Sequence, residues 1–258
     1  MTNSYITKHI LLVIFLLLCV RSIAQLKEEK EIIYLIPGQG ADERLFKNLQ
    51  LDTALFKVHH IKYKVPFKEE QMSTYALRLS QQIDTTKAFT LIGVSLGGML
   101  ATEINEVLSP KNVIVISSAK CRSELPRQYK FQKAIPLYKI IPKKIIKQSS
   151  LIVQPIFEPD RSKEKETCIL MLKAKDPMFL KRTIGMIVNW NRISYDPNII
   201  HIHGDKDNTL PIKNVKFDVL VENGSHMIML TRTDEIKDLI LSIMNNDEEQ
   251  LLKSKYDE

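Results

Sequence analysis

A serine between two glycines, where a predicted strand meets a predicted helix, is the feature that most constrains the fold of this chain. The apolar run Phe89–Val94 is typical of a buried strand, and it ends in the segment Gly93–Gly97, which reads Gly-Val-Ser-Leu-Gly. The next residues, Met99–Ile104, favour a helix. So sharp a turn strains the residue at the bend, and the neighbouring chains leave no room for Cβ atoms at the two flanking positions. The sequence therefore predicts that the hydroxyl of Ser95 is presented at a sheet edge, beside the first N–H groups of a helix.

The order of predicted elements indicates an α/β fold, with a mostly parallel sheet and helices on both faces. Fully apolar strands that alternate with helices are typical of a parallel sheet covered on both sides. The predicted strands are Glu31–Ile36, Val58–Val65, Phe89–Val94, Asn112–Ser118, Ile199–Gly204 and Phe217–Val221. The predicted helices outside the serine turn are Thr74–Ile83, Met171–Trp190 and Asp234–Met244.

The alternation breaks between Ala119 and Pro197, where no strand pattern is found. We expect a helical cap inserted over the carboxyl edge of the sheet, where open α/β sheets bind ligands. The predicted core therefore comprises residues 25–118 and 198–258, and the predicted cap comprises residues 119–197. The cap contains apolar residues expected to line a substrate pocket, among them Ile145, Ile146, Met171, Leu172, Met178, Phe179, Ile187 and Trp190.

Residues 1–24 have the pattern of a secretory signal. The unbroken apolar block Ile10–Val20 follows Lys8, and it is shorter than the roughly 20 residues that span a bilayer. Small residues stand at the two positions that a signal peptidase reads, Ser22 and Ala24. The sequence predicts cleavage near Ala24 and export to the periplasm or the medium; an uncleaved membrane anchor is the alternative. Export leaves open whether Cys121 and Cys168 form a disulfide.

Positive charge is concentrated in the predicted cap. The chain has a formal net charge of +7, and Glu124 is the one acidic residue between Cys121 and Ser150, beside eight lysines and arginines. Such a segment fits a solvated helical face, and it also fits contact with an anionic membrane surface or substrate. The segment has few interleaved aromatic residues and the chain is expected to be exported, so we expect no nucleic-acid partner.

A serine nucleophile needs a base, and we assign that role to His226. A serine hydroxyl is a poor nucleophile unless a neighbouring base takes its proton and an acid orients that base. His226 lies in a turn-forming loop directly after a predicted strand, where catalytic groups are commonly presented. The other histidines of the predicted core lie in or beside strands, a setting more typical of packed core residues: His59, His60, His201 and His203.

The acid that orients the base should also follow a strand end, and two aspartates meet that condition. Asp205 and Asp207 both follow the strand that ends at Gly204. One of them can shape the turn, and we assign that role to Asp205. Composition and spacing alone do not rank the two as partners of His226.

These residues resemble the α/β-hydrolase fold superfamily. The serine turn around Ser95 and the chain order serine, aspartate, histidine both match that family. The family's acid loop reads Gly-x-x-Asp with a proline four residues on, which implies that Asp207, with Pro211, is the acid. The segment Gly224–His226 is similar to the family's histidine loop, and the resemblance covers roughly residues 31–244.

The resemblance implies a serine hydrolase that cleaves a carboxylic ester or related acyl bond of a small molecule, without a metal or organic cofactor. Pro37–Gly40 occupies the family's His-Gly-x-Gly position, with proline in place of histidine. This implies an oxyanion hole formed by the backbone N–H groups of Gln39 and Leu96. The same three catalytic residues also serve C–C hydrolases, perhydrolases, lyases and acyltransferases. A catalytically silent binding protein on the same scaffold is a further alternative.

Overall fold

The structure is a computed structural model that describes residues 30–157 and 163–245, with the side chains of 151–157 left out. The predicted signal peptide, residues 1–24, lies outside the described residues. Within the described part of the chain, no helix combines the length and apolar character needed to cross a membrane.

The core is a six-stranded sheet in which every pair of neighbouring strands is parallel. The strand order is β2-β1-β3-β4-β5-β6. This confirms the predicted α/β class. The strands are β1 (Glu31–Ile36), β2 (Phe56–His60), β3 (Phe89–Val94), β4 (Asn112–Ile116), β5 (Ile200–Gly204) and β6 (Val219–Val221).

The second strand begins and ends earlier than the predicted range Val58–Val65. Strand β2 is an edge strand, and only β1 pairs with it. The N–H of Ile61 makes the last bond to β1, to the carbonyl of Leu35, and the N–H of Lys62 turns to the side chain of Gln82. An edge strand ends where its single partner stops, so the apolar pattern overestimates its length.

Helices cover both faces of the sheet. Along β1, Ile32, Tyr34 and Ile36 pack in one hydrophobic cluster, and Ile33 and Leu35 pack in the other, as the two-residue period of a strand requires. Helices α1 and α2 contribute to the first cluster and α8 and α9 to the second. The helices are α1 (Met72–Ser80), α2 (Leu96–Asn105), α3 (Arg127–Ala134), α4 (Leu137–Ile140), α5 (Lys143–Phe157), α6 (Lys165–Ala174), α7 (Pro177–Asn189), α8 (Ile228–Thr231) and α9 (Thr233–Met244).

The single helix predicted over Met171–Trp190 is wrong, because the chain forms α6 and α7 there instead. Pro177 lacks a backbone N–H and cannot continue a preceding helix, but its fixed φ suits the first position of a new one. The carboxylate of Asp176 caps that new helix by accepting the N–H of Met178 at 2.6 Å. The break is therefore dictated by two adjacent residues.

Residues 119–197, between β4 and β5, form an insertion that has no strand among its described residues. Helices α3, α4 and α5 all pack against α7. The ammonium of Lys181, on α7, donates to the carbonyls of Lys139 and Ile141, which fixes the connection between α4 and α5. Cys121 and Cys168 are both buried, and no disulfide joins them to each other.

Candidate active site

The serine turn has the strained geometry that the sequence predicts. Ser95 joins β3 to α2 with a φ of 54° and a ψ of −119°, and a positive φ is uncommon for a residue with a side chain. A Cβ added to Gly93 would lie 2.3 Å from the carbonyl oxygen of Gly97, and a Cβ on Gly97 would lie 2.0 Å from that of Ile36. Both contacts are with backbone, which cannot move aside locally, so glycine is required at both positions.

We expect Gly97→Ala to destabilise the protein by about 1–3 kcal/mol or more, because the new methyl group overlaps the backbone of β1. Gly38→Ala is the matched control. Its added Cβ would meet the Cβ of Ser95 at 3.5 Å, an ordinary contact distance. Urea denaturation of both variants measures the difference. Equal free energies of unfolding would contradict the steric reason for glycine in the turn.

The structure brings Ser95, Asp207 and His226 together at the carboxyl edge of the sheet. Nε2 of His226 lies 2.9 Å from Oγ of Ser95, and Nδ1 of the same ring lies 2.7 Å from Oδ2 of Asp207. The serine follows β3, the aspartate follows β5 and the histidine follows β6. Ser95 is more than a hundred positions from the other two residues in the chain, yet the three form one continuous line of hydrogen bonds.

Asp207 is buried but remains ionised. Burial alone raises the pKa of its carboxyl group, but the charge and hydrogen bond of His226, the nearby His203 and the N–H of Leu210 together hold the pKa below its usual value. The N–H of Leu210 donates to Oδ1 at 2.7 Å, which leaves Oδ2 facing His226. The carboxylate is therefore fixed in orientation by its own loop.

His203 lies behind this carboxylate in the sheet. Its Nε2 is 2.8 Å from the carbonyl of Leu210 and 3.5 Å from Oδ2 of Asp207. Burial, the largest effect, lowers the pKa of His203. The neutral ring therefore supports the acid loop as a packed, hydrogen-bonded residue, in keeping with its position inside a strand.

Asp205 does not have the turn-forming role assigned to it from the sequence. Its Oδ2 lies 3.5 Å from the ammonium of Lys206, and its buried Oδ1 has no hydrogen-bond partner. The carboxylate that accepts a loop N–H is that of Asp207, which also faces the histidine. One side chain thus combines the two roles that the sequence divides between neighbours.

The loop Pro37–Gly40 follows β1 and lies against the serine turn. The side chain of Gln39 points into the insertion, where its Nε2 donates to Oγ1 of Thr183 at 2.7 Å and to the carbonyl of Leu180 at 3.3 Å. Both partners belong to α7. The hydroxyl of Tyr63 donates to the carbonyl of Pro37 and holds the other end of the loop.

A cavity of about 350 Å³ opens beside Ser95 and His226, between the sheet edge and the insertion. Three of the eight expected pocket residues line it, namely Met171, Leu172 and Ile187. The described residues that line it include His226 but no Asp, Glu, Lys or Arg. Within residues 30–157 and 163–245, no group of three or more His, Cys, Asp or Glu side chains is placed to hold a metal ion.

Trp190 does not line this cavity. Its buried indole Nε1 donates to Glu103 at 2.7 Å, and Arg192 pairs with the same carboxylate at 2.8 Å, so this part of the insertion is anchored to α2. Two polar residues of α3 that were not predicted from the sequence do line the cavity, Gln128 and Tyr129. Burial, with a smaller effect of Asp207, raises the pKa of Tyr129 and keeps it a neutral phenol. Nothing in the sequence around α3 distinguishes these two residues from the solvent-exposed residues of the same helix.

Solved structures that match the described fold are α/β-hydrolases. One is a thermophilic esterase from Thermogutta terrifontis, with 14% identity, a TM-score of 0.61, and coverage of 84% of this chain and 90% of that one. A second is the enol-lactonase from Burkholderia xenovorans LB400, with 13% identity, a TM-score of 0.65, and coverage of 84% and 92%. A third is MenH from S. aureus, with 16% identity, a TM-score of 0.60, and coverage of 85% and 96%. At such identities the likeness shows the fold alone.

No curated protein sequence matches the chain. A sequence model of the uncharacterised protein family UPF0227 matches residues 45–191, more than half of the 258 residues. The matched range includes Ser95 and most of the insertion, and it ends before Asp207 and His226. The chain thus has the α/β-hydrolase fold and belongs to the UPF0227 family.

Proposed function

We propose that this protein is a serine hydrolase that cleaves uncharged carboxylic esters or related acyl compounds. The observation that carries the proposal is the line of hydrogen bonds from Asp207 through His226 to Ser95, at 2.7 Å and 2.9 Å. Spacing and orientation of this kind activate a serine hydroxyl. The serine also faces a cavity of about 350 Å³, within the range of sites that bind small molecules.

In the proposed reaction, Oγ of Ser95 attacks the acyl carbon while Nε2 of His226 takes its proton. His226 then donates that proton to the leaving oxygen, which leaves an acyl group on the serine. Water then attacks the acyl group with the same histidine as base. The acid product is released and the serine hydroxyl is restored. Asp207 holds the proton on Nδ1 and stabilises the imidazolium in each half-reaction.

The negative oxygen that forms during each attack needs hydrogen-bond donors. We assign these to the backbone N–H groups of Gln39, in the loop after β1, and of Leu96, the first residue of α2. Each such donor supplies about 3–4 kcal/mol to the transition state in well-studied serine enzymes. The loop position of Gln39 is fixed by its side-chain bonds to α7.

The lining of the cavity supports an uncharged acyl group. Burying an anionic acyl chain without a cationic partner is unfavourable, and the described residues that line the cavity include no Lys or Arg. The insertion contributes the apolar side chains of Met171, Leu172, Leu180 and Ile187 to this lining. The N-terminal pattern further supports an exported enzyme that acts outside the cytoplasm.

A series of p-nitrophenyl esters from acetyl to dodecanoyl, given to the purified protein, tests this proposal. We expect hydrolysis with a maximum at an intermediate chain length, and labelling of the protein by a fluorophosphonate probe. Failure to hydrolyse any ester, together with no labelling, would favour the alternative of a silent binding protein. Labelling without hydrolysis of any ester would favour another triad reaction.

We expect Leu172→Trp to lower kcat/KM for decanoyl esters at least about tenfold more than for acetyl esters, because the indole fills the cavity that the acyl chain occupies. Leu170→Trp is the matched control. It lies on the same helix but is exposed and does not line the cavity. Leu172→Ala, which enlarges the cavity, is expected to shift the preference towards longer chains. A chain-length profile unchanged in both Leu172 variants would contradict the assignment of the acyl site.

A further inference from the structure

An unusual concentration of exposed apolar side chains lies on the insertion. Scattered exposed apolar residues are ordinary on soluble proteins, but a contiguous group marks a contact site. Within residues 131–145 the large apolar side chains with a third or more of their surface exposed are Phe131, Ile135, Leu137, Ile140, Ile141 and Ile145. Ile140 is the most exposed of them, at 79%.

The same stretch is strongly basic. No Asp or Glu occurs between Leu125 and Phe157. Lys139 contacts Glu69 at 3.5 Å, between two exposed side chains, an arrangement that contributes little to stability. The exposed cations are Arg127, Lys130, Lys133, Lys139, Lys143 and Lys144. We call these cations and the six apolar side chains together the basic–apolar surface.

The packing of the insertion places this surface on its outer side. Helices α3, α4 and α5 all use α7 as their inner partner. Side chains that point inward from them are buried or line the cavity, as Tyr138, Ile146 and Tyr129 do. The residues of the basic–apolar surface are instead exposed. Exposed apolar side chains therefore remain on α3, α4 and α5 beside those that pack inward.

The chemistry of this surface distinguishes a bilayer from a protein partner. Protein interfaces are enriched in Tyr, Trp and Arg and depleted in Lys. The basic–apolar surface has no Tyr or Trp, and it contains five aliphatic side chains, one Phe, five lysines and one arginine. Aliphatic residues enter the boundary between headgroups and acyl chains, while lysines extend to the headgroups and neutralise anionic lipid.

We propose that the basic–apolar surface binds the surface of an anionic lipid bilayer. The apolar side chains enter the interfacial region, and the surrounding lysines contact anionic headgroups. None of the residues involved belongs to the serine site, so this binding does not depend on the proposed hydrolysis. A Ser95→Ala variant is expected to bind vesicles as the native chain does.

Tryptophan fluorescence tests the proposal at the surface itself. The single native tryptophan, Trp190, is buried and bonded to Glu103, so its emission is a constant background. We expect the emission of the Ile140→Trp variant to shift to the blue with phosphatidylcholine vesicles that contain phosphatidylglycerol. Ile193→Trp is the control, because Ile193 is 90% exposed on the same insertion but outside the surface. It is expected to show no shift. Both variants share one N-terminus, so residues 1–24 contribute equally.

A charge variant completes the test. With Lys133→Glu, Lys143→Glu and Lys144→Glu added to Ile140→Trp, the lipid concentration for half of the shift is expected to rise at least about 100-fold. Circular dichroism checks that this variant is folded. Any of four results would overturn the proposal. Two concern the Ile140→Trp variant, namely no shift at all or an equal shift with phosphatidylcholine alone. The others are an equal shift in Ile193→Trp and unchanged binding of the folded charge variant.

Discussion

Ser95→Ala is expected to lower kcat on the best p-nitrophenyl ester by about 10⁶-fold and to abolish labelling by a fluorophosphonate probe. The substitution removes the proposed nucleophile, whose Oγ lies 2.9 Å from the base. It should leave the fold intact, because the other hydrogen bonds of this residue belong to its backbone. The N–H of Ser95 donates to Ile116, and its carbonyl accepts the hydroxyl of Ser118.

Ser117→Ala is the control for this experiment. Ser117 also follows a strand and has a positive φ of 46°, but its buried hydroxyl has no hydrogen-bond partner. A serine without a base is not activated, and a fully buried one is closed to the probe. We therefore expect native labelling in Ser117→Ala. More than a few per cent of native turnover in folded Ser95→Ala would refute the nucleophile assignment.

Asp207→Asn is expected to lower kcat by about 10³–10⁴-fold, because His226 would then adopt the tautomer that cannot accept the proton of Ser95. The amide oxygen can still accept the N–H of Leu210, so the loop keeps its shape. The amide NH₂ then occupies the place of Oδ2 and donates to Nδ1 of His226. The ring must carry its proton on Nε2, which faces Ser95 and can no longer accept the hydroxyl proton.

Asp205→Asn is the matched comparison, because the same change is made two residues away in the same loop. No hydrogen bond reaches the buried Oδ1 of Asp205, and its Oδ2 lies 3.5 Å from the ammonium of Lys206. We expect its activity to remain within a few-fold of the native value. One soluble ester, assayed with both variants, decides between the two aspartates. If Asp205→Asn were inactive while Asp207→Asn kept its activity, the assignment of the acid would be reversed.

The turn at Ser95 could be predicted because its cause is local. The glycines, the apolar strand before them and the helix after them lie within one short stretch, and the steric requirement follows from backbone geometry alone. The pairing of His226 with Asp207 could not be derived from the residues in this way. Both aspartates follow β5, and only the resemblance to a known fold ranked them. The structure places the carboxylate of Asp207 beside the histidine.

The lining of the cavity depended on tertiary packing and was predicted only in part. Trp190 has the size and character of a pocket residue, but the carboxylate of Glu103 draws its indole towards α2. Tyr129 lines the cavity because α3 rests on α7, a contact that no local pattern specifies. The break at Pro177, by contrast, has a local cause, but the apolar periodicity on both sides of it favoured a single helix.

The hydrogen bond between the side chains of Gln39 and Thr183 links the loop after β1 to helix α7. The side chain of Gln39 is held by the insertion, while its backbone N–H is the proposed donor to the reacting oxygen. A displacement of α7 would therefore move the backbone N–H of Gln39 relative to the oxygen that becomes negatively charged. Substitutions in α7 far from the serine should therefore lower kcat more than they change KM, because they disturb the transition state more than the bound ester.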